Sequence, residues 1–224
     1  NRETETVVVA IIDSGVDIEH EDLQGRIWVN EDEIAGNGID DDNNGYIDDV
    51  HGWNFLGNSK GENANDIRLE VTRIYADLDK KYGKMPVSIT NENEQAEYDL
   101  YFEVKEKVET QRAQAEQIIA IIKQRMGAAS EEQKAQLKGA LDYYTTQYEV
   151  HYNPDHDGRA IVGDDPNDFS DTNYGNNDVE GPDALHGTHV GGIVGAVRGN
   201  EIGYDGVAHD IKLMSLRAVP NGDE

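Results

Sequence analysis

Two histidines three positions apart, His186 and His189, sit in the stretch DALHGTHVGGIVGA from 183 to 196, among glycines and small apolar residues. Histidine is the side chain whose ordinary titration lies nearest physiological pH, so either ring could act as a general base if a partner fixed its tautomer. A carboxylate is a common orienting partner. The chain offers one in TVVVAIIDSGVD, where an apolar run from Val7 to Ile12 ends at Asp13 and Gly15.

A second set of residues points to a different chemistry. In DDDNNGYIDD, residues 40 to 49, side-chain oxygens at Asp40, Asp42 and Asn44 precede Gly45 and an apolar Ile47. Alternate oxygens followed by a turn glycine form the first two-thirds of an EF-hand-type calcium loop. The expected ligands are the side chains of Asp40, Asp42 and Asn44, the carbonyl of Tyr46, and one or both of Asp48 and Asp49. The twelfth position holds His51 in place of the bidentate glutamate, so Asp48 or Asp49 would have to close the shell. The other reading is a solvated acidic turn capped by its own Asn and Asp side chains. The carboxylates at 155, 157, 164, 165 and 168 have no spacing that defines a second loop of this kind.

These residues must be held by regular elements. The continuous apolar run before Asp13 reads as a buried parallel strand that delivers a carboxylate at its C-terminal edge, where open α/β sheets place their ligands. IKLMSLRAV, 211 to 219, reads as a second strand after a small-residue helix beginning near His186. Strand, helix and strand imply an α/β domain with a parallel, doubly wound sheet. Asp17 and Asp22 read as ordinary loop and cap carboxylates.

The middle of the chain differs in kind. Apolar residues recur at steps of three and four: Ile67, Val71, Ile74, Leu78 and Tyr82, then Val104 through Met126, then Leu137, Leu141, Tyr144 and Tyr148. Such stripes mark amphipathic helices. Asn91 with Glu94, and Ser130 with Gln133, have capping-box spacing, and Gly127 lies where a helix would close. The expectation is an inserted antiparallel helical hairpin of two or three helices. Its stripes either pack on one another or present a face to a protein partner. The organisation that follows is a first part over 1–60, the helical insertion over 61–152 and a second part over 153–224. The polar Gly- and Asp-rich stretches on either side of the insertion read as working surface loops or as flexible linkers.

Composition narrows the function. The 224 residues carry 46 acidic and 19 basic side chains, a net charge of −27, which disfavours nucleic acid and anionic membranes and favours cations. There is no cysteine, so thiolate chemistry and disulfides are excluded. No apolar run approaches the roughly 20 residues of a membrane span, and no basic-then-apolar segment opens the sequence.

Asp-Ser-Gly at a strand end followed by His-Gly-Thr-His-Val-Gly-Gly at a helix start resembles the first two catalytic blocks of the subtilisin-like serine peptidases. Further likenesses are GNGIDDDNNGYIDDVHGWNF, between the blocks, and YDGVAHDIKLMSLRAV, after them, with His209 where proline is usual. By position, the resemblance makes Asp13 the triad aspartate and His186 the general base, and leaves His189 as a non-catalytic neighbour. It implies a subtilisin-like partial sheet, a polypeptide substrate, and a secreted or cell-envelope location in a bacterium. The 173 positions between Asp13 and His186 exceed the family's usual few tens, in keeping with an insertion, which loop-closure entropy tolerates.

No Gly-Thr-Ser-Met-Ala-like segment occurs in the 224 residues. The expectation is therefore an endopeptidase whose serine lies elsewhere, with this stretch inactive alone and its helical insertion facing either the remainder of the peptidase domain or another protein. Two rivals stand beside it. A strand-end carboxylate also serves phosphoryl-transfer enzymes, but these want a second aspartate two positions on, where this chain has Gly15. The other is a calcium-dependent binding module on a degenerate peptidase scaffold.

Overall fold

The computed structural model describes residues 5–84, 89–165 and 168–220. The chain forms two compact units. One comprises residues 1–65 and 159–224, the other residues 66–158. The units divide after residues 65 and 158, a few positions later in the sequence than the expected divisions after 60 and 152.

The first unit is built on three parallel strands, β1 (Val7–Asp13), β2 (Gly52–Asn54) and β3 (Ile211–Arg217), in the order β1-β3-β2. Valine and isoleucine dominate β1, and their branched side chains suit a pleated surface. In the parallel register Val7 lies opposite Ile211 and Asp13 opposite Arg217, so both strands end level. Ile11, Val16, Leu23, Ile27, Ile211 and Leu213 form the buried core. The histidine-bearing helix (Leu185–Gly195) adds Val190 and Val194 to one edge of that core. Leu213 is 1% exposed, the burial expected of a central strand.

One expectation changes here. The apolar run of β1 reads as buried on both faces, yet Val8 and Ile12 are 45% and 66% exposed while Ile11 is 4% exposed. Alternation across the pleat accounts for it, since successive side chains point to opposite faces and only one face is covered by described elements.

The second unit is helical: α1 (Glu70–Tyr82), α2 (Glu92–Gly127) and α3 (Glu131–Thr146), followed by a π-helical turn, Gln147–His151. With 36 residues, α2 is about 54 Å long at 1.5 Å per residue. The predicted stripes are its packing faces: Leu78 and Tyr82 on α1 meet Tyr101, Val104 and Val108 on α2. Aromatic residues thicken this core, with the Tyr82 and Tyr98 rings edge-to-face at 5.3 Å. No residue of α3 is fully buried, and Leu137, Leu141 and Tyr144 are only half-buried.

The caps form as their residue types dictate. Ser130 and Gln133 make a full capping box at α3. At α2 the Asn91 side chain accepts the Glu94 amide, whereas the Glu94 carboxylate reaches one residue further back, to the Thr90 amide and hydroxyl. The π turn had no signal in the sequence.

Candidate active site

The strand β1 ends at Asp13 because the chain then turns sharply through Ser14 and Gly15, whose φ is +136°. Asp13 as a whole residue is 7% exposed, and the Ser14 amide donates to its Oδ1 at 2.8 Å. On the other side of the site the helix Leu185–Gly195, here α4, begins one residue before His186, with the Asp183 carboxylate accepting the Leu185 amide at 3.1 Å.

Close approach of α4 to this turn depends on two glycines. A Cβ at Gly187 would lie 2.0 Å from the Gly15 carbonyl oxygen, and one at Gly15 would lie 2.0 Å from the Glu180 carbonyl oxygen. Neither space admits a methyl group. The Asp17 amide donates to Thr188 Oγ1 at 2.8 Å, a further tie between the turn and the helix.

The result is a pair. His186 Nδ1 lies 2.8 Å from Asp13 Oδ1 and 3.0 Å from Oδ2. With Nδ1–H donated to the carboxylate, the lone pair of the neutral ring is on Nε2, and an imidazolium formed there is stabilised by the buried negative charge. The aspartate side chain is 10% exposed and the histidine 51%, so the carboxylate is inside and the imidazole faces outward.

His189 takes no part in the pair. It lies with Leu185, Thr188, Ile193, Tyr204 and Val207 along an open groove of about 830 Å³ on the outer side of α4. Asp17, Asp22 and Glu180 also border that groove. Burial raises the Glu180 carboxyl above its usual range, and the negative charges of Asp17, Glu19 and Asp178 add to the effect.

The acidic loop is more internally bonded than its sequence implies. Asp42 and Asp49 come together as expected, but their third companion is Glu33, with one carboxylate oxygen of each within 4.8 Å of the others. Asn30 bridges the two aspartates, donating to Asp42 Oδ2 at 3.0 Å and Asp49 Oδ1 at 2.9 Å. Asn44 Nδ2 does the same from the other side, at 3.0 and 3.2 Å.

The remaining predicted ligands have other partners. Asp40 accepts the amides of Asn44 and Gly45, and Asn44 Oδ1 accepts the Tyr46 amide. The Asp48 carboxylate turns to the amides of Gly36, Asn37 and Gly38 at 2.7, 3.2 and 2.9 Å. Glu33 escaped the sequence reading because it precedes the loop motif by seven positions. Its own oxygens accept the amides of Asp41, Asp42 and Asp48.

These donors fit a hard cation. All are oxygens, and burial pushes the Asp49 carboxyl above its usual value, with the Asp42 charge adding to the rise against the hydrogen bonds from Asn30 and Asn44.

The polar stretches beside the helical unit are tied down by asparagine. Asn54, 0% exposed, donates to Asn63 Oδ1 at 2.8 Å and Asn176 Oδ1 at 2.9 Å, and accepts the Leu56 amide. Asn63 in turn donates to Asp178 Oδ2. Trp53 contributes its indole N–H to the Tyr174 carbonyl at 2.8 Å. Both stretches are therefore fixed to the sheet edge at these points.

Comparison with known proteins supplies the remaining evidence. The family model described as Peptidase_S8, Subtilase family, matches residues 4–224. Subtilisin-like protease 1 of Plasmodium berghei (strain Anka) is 54% identical over 56 residues, which is 25% of this chain and 9% of that protein. Subtilisin-like protease 1 of Plasmodium vivax is 52% identical over 52 residues, 23% of this chain and 8% of that protein. The protein of the same name from Plasmodium falciparum (isolate 3D7) is 50% identical over 52 residues, with the same shares. The aligned stretch thus spans less than a tenth of the curated relatives it matches.

Proposed function

Because this chain belongs to the subtilase family, we propose that Asp13 and His186 are two members of an Asp-His-Ser triad that hydrolyses peptide bonds in polypeptide substrates. The observation that supports it is the 2.8 Å contact between a buried carboxylate and a half-exposed imidazole.

In this reading His186 Nε2 takes the proton from a serine hydroxyl as its oxygen attacks the scissile carbonyl, and returns it to the leaving amine. Asp13 holds the ring with Nε2 outward and stabilises the imidazolium. In the same proposal the sheet is part of a parallel, doubly wound one, the serine is supplied by another part of the complete gene product, and the stretch alone is inactive. The helical unit is an insertion into the peptidase domain, available to a protein partner or to the rest of that domain. A calcium ion would be held by Glu33, Asp42 and Asp49, where it would neutralise the gathered charge and stiffen the loop. No helix among the described residues is long and apolar enough to cross a membrane, and a secreted or cell-envelope location belongs to the same proposal. The Plasmodium relatives give no support to a bacterial origin.

The test is a serine-directed fluorophosphonate probe applied to the complete gene product and to this chain. The complete product should label and cleave peptides, its His186→Ala variant should do neither, and the isolated chain should stay unlabelled. Full turnover by the His186→Ala variant would overturn the proposal.

A further inference from the structure

Arg217 ends β3 directly opposite Asp13 in the parallel ladder. Its side chain is 1% exposed, and it is among the largest fully buried side chains. Burying a guanidinium is costly unless its donors are spoken for, so its partners reveal what it is for.

The three nitrogens reach three segments that are remote in sequence. Nε donates to the Ser14 carbonyl at 3.1 Å, Nη1 to Asp178 Oδ2 at 3.3 Å, and Nη2 to Asn65 Oδ1 at 2.7 Å. Ser14 is the residue whose amide orients the Asp13 carboxylate. Asp178 opens the segment that leads into α4, and its Oδ1 accepts the Gly181 amide. Gly181, at φ +69°, leaves room for the guanidinium, since a Cβ there would lie 2.3 Å from Arg217 Nε.

Backbone bonds carry the connection on to the catalytic pair. The Val16 amide donates to the Val179 carbonyl at 3.1 Å, and the Ala218 amide donates to the Asp13 carbonyl at 2.9 Å. The planar fork of arginine holds its donors at Nε, Nη1 and Nη2 in fixed, widely spaced directions, whereas the three donors of an ammonium radiate from one freely rotating nitrogen.

We infer that Arg217 is a positioning residue for the Asp13–His186 pair: its buried guanidinium locks the Ser14 turn, the Asp178–Gly181 segment and Asn65 in one arrangement, and so sets where carboxylate and imidazole meet. Its effect on hydrolysis rests on the peptidase reading, but its effect on the pair does not.

Arg217→Lys keeps the charge and loses the fork, so it separates geometry from electrostatics. The first readout is the imidazole ¹⁵N spectrum of His186 in this chain, which reports the tautomer. The wild-type ring should be held as the Nδ1–H form, and folded Arg217→Lys should show a mixture of both tautomers. The second readout is hydrolysis by the complete gene product. There kcat should fall roughly tenfold to 100-fold with KM within about twofold, as expected when a reacting group is misplaced by about 1 Å. If Arg217→Lys does not fold, Asp178→Asn removes one anchor and should give the same tautomer mixing to a smaller extent. An unchanged tautomer in whichever of these variants folds, with only a lower melting temperature, would overturn the inference. A shifted tautomer in the variant of this chain, together with a wild-type complete gene product that hydrolyses no peptide, would sustain the inference and sink the peptidase reading.

Discussion

His186 and Asp13 are 173 residues apart in sequence, yet Nδ1 of one lies 2.8 Å from a carboxylate oxygen of the other. A separate 66–158 unit occupies more than half of the interval between them. Asp13→Asn in the complete gene product should preserve the fold and lower kcat by roughly 10⁴, because an amide no longer selects the Nδ1–H tautomer. Stopped or steady-state peptide hydrolysis measures this, and a loss below about tenfold would remove Asp13 from the triad.

Gly187→Ala should disturb the same contact from the helix side. The added methyl would meet the Gly15 carbonyl oxygen at 2.0 Å, so α4 must shift or tilt. A melting temperature several degrees lower is expected, together with a weaker His186–Asp13 interaction seen by NMR. A wild-type melting curve would show that the helix has more freedom than the packing implies.

Calorimetric titration of chelator-treated chain with calcium should give one binding event that the double variant Asp42→Ala, Asp49→Ala abolishes. Bound calcium should raise the melting temperature with the logarithm of its concentration. Asp48→Asn should behave differently, lowering stability with and without calcium, because its carboxylate serves the amides of residues 36–38. Equal heats from wild type and the double variant would exclude the Glu33, Asp42 and Asp49 cluster.

Without calcium, Asp49 should make stability depend on pH. Its folded value is raised, chiefly by burial, so the neutral acid is the better-accommodated form. Its contribution is fully present below the unfolded carboxylate value and is lost as pH rises through the raised folded value. In metal-free thermal melts between about pH 4 and about pH 7, Asp49→Asn should flatten part of the fall in stability with pH. An identical pH profile for both proteins would contradict the assigned burial.

Asn54→Ala should destabilise the first unit by about 1–3 kcal/mol, the cost of leaving buried polar partners unmatched. Three groups lose a partner: Asn63 Oδ1, Asn176 Oδ1 and the Leu56 amide. Chemical denaturation of the two proteins gives the difference directly, and a change below about 0.5 kcal/mol would show that water replaces the amide without penalty.

Local patterns were legible in the sequence wherever a short stretch carries its own physical reason. The β1 run, the small-residue helix at His186, the amphipathic stripes and the Ser130–Gln133 box all follow from side-chain periodicity and from donors and acceptors within a few positions. Asp13 and His186 were singled out through the likeness of their short motifs to the subtilisin-like peptidases, and the structure brings the two side chains together. What tertiary structure alone decided was which distant groups share one volume. Glu33 joins Asp42 and Asp49, Asp48 turns to the 36–38 amides, and Arg217 gathers Ser14, Asn65 and Asp178. No periodicity encodes these contacts. They arise because buried charges and amides must find partners once the chain is compact, and the nearest partner in space is seldom the nearest in sequence.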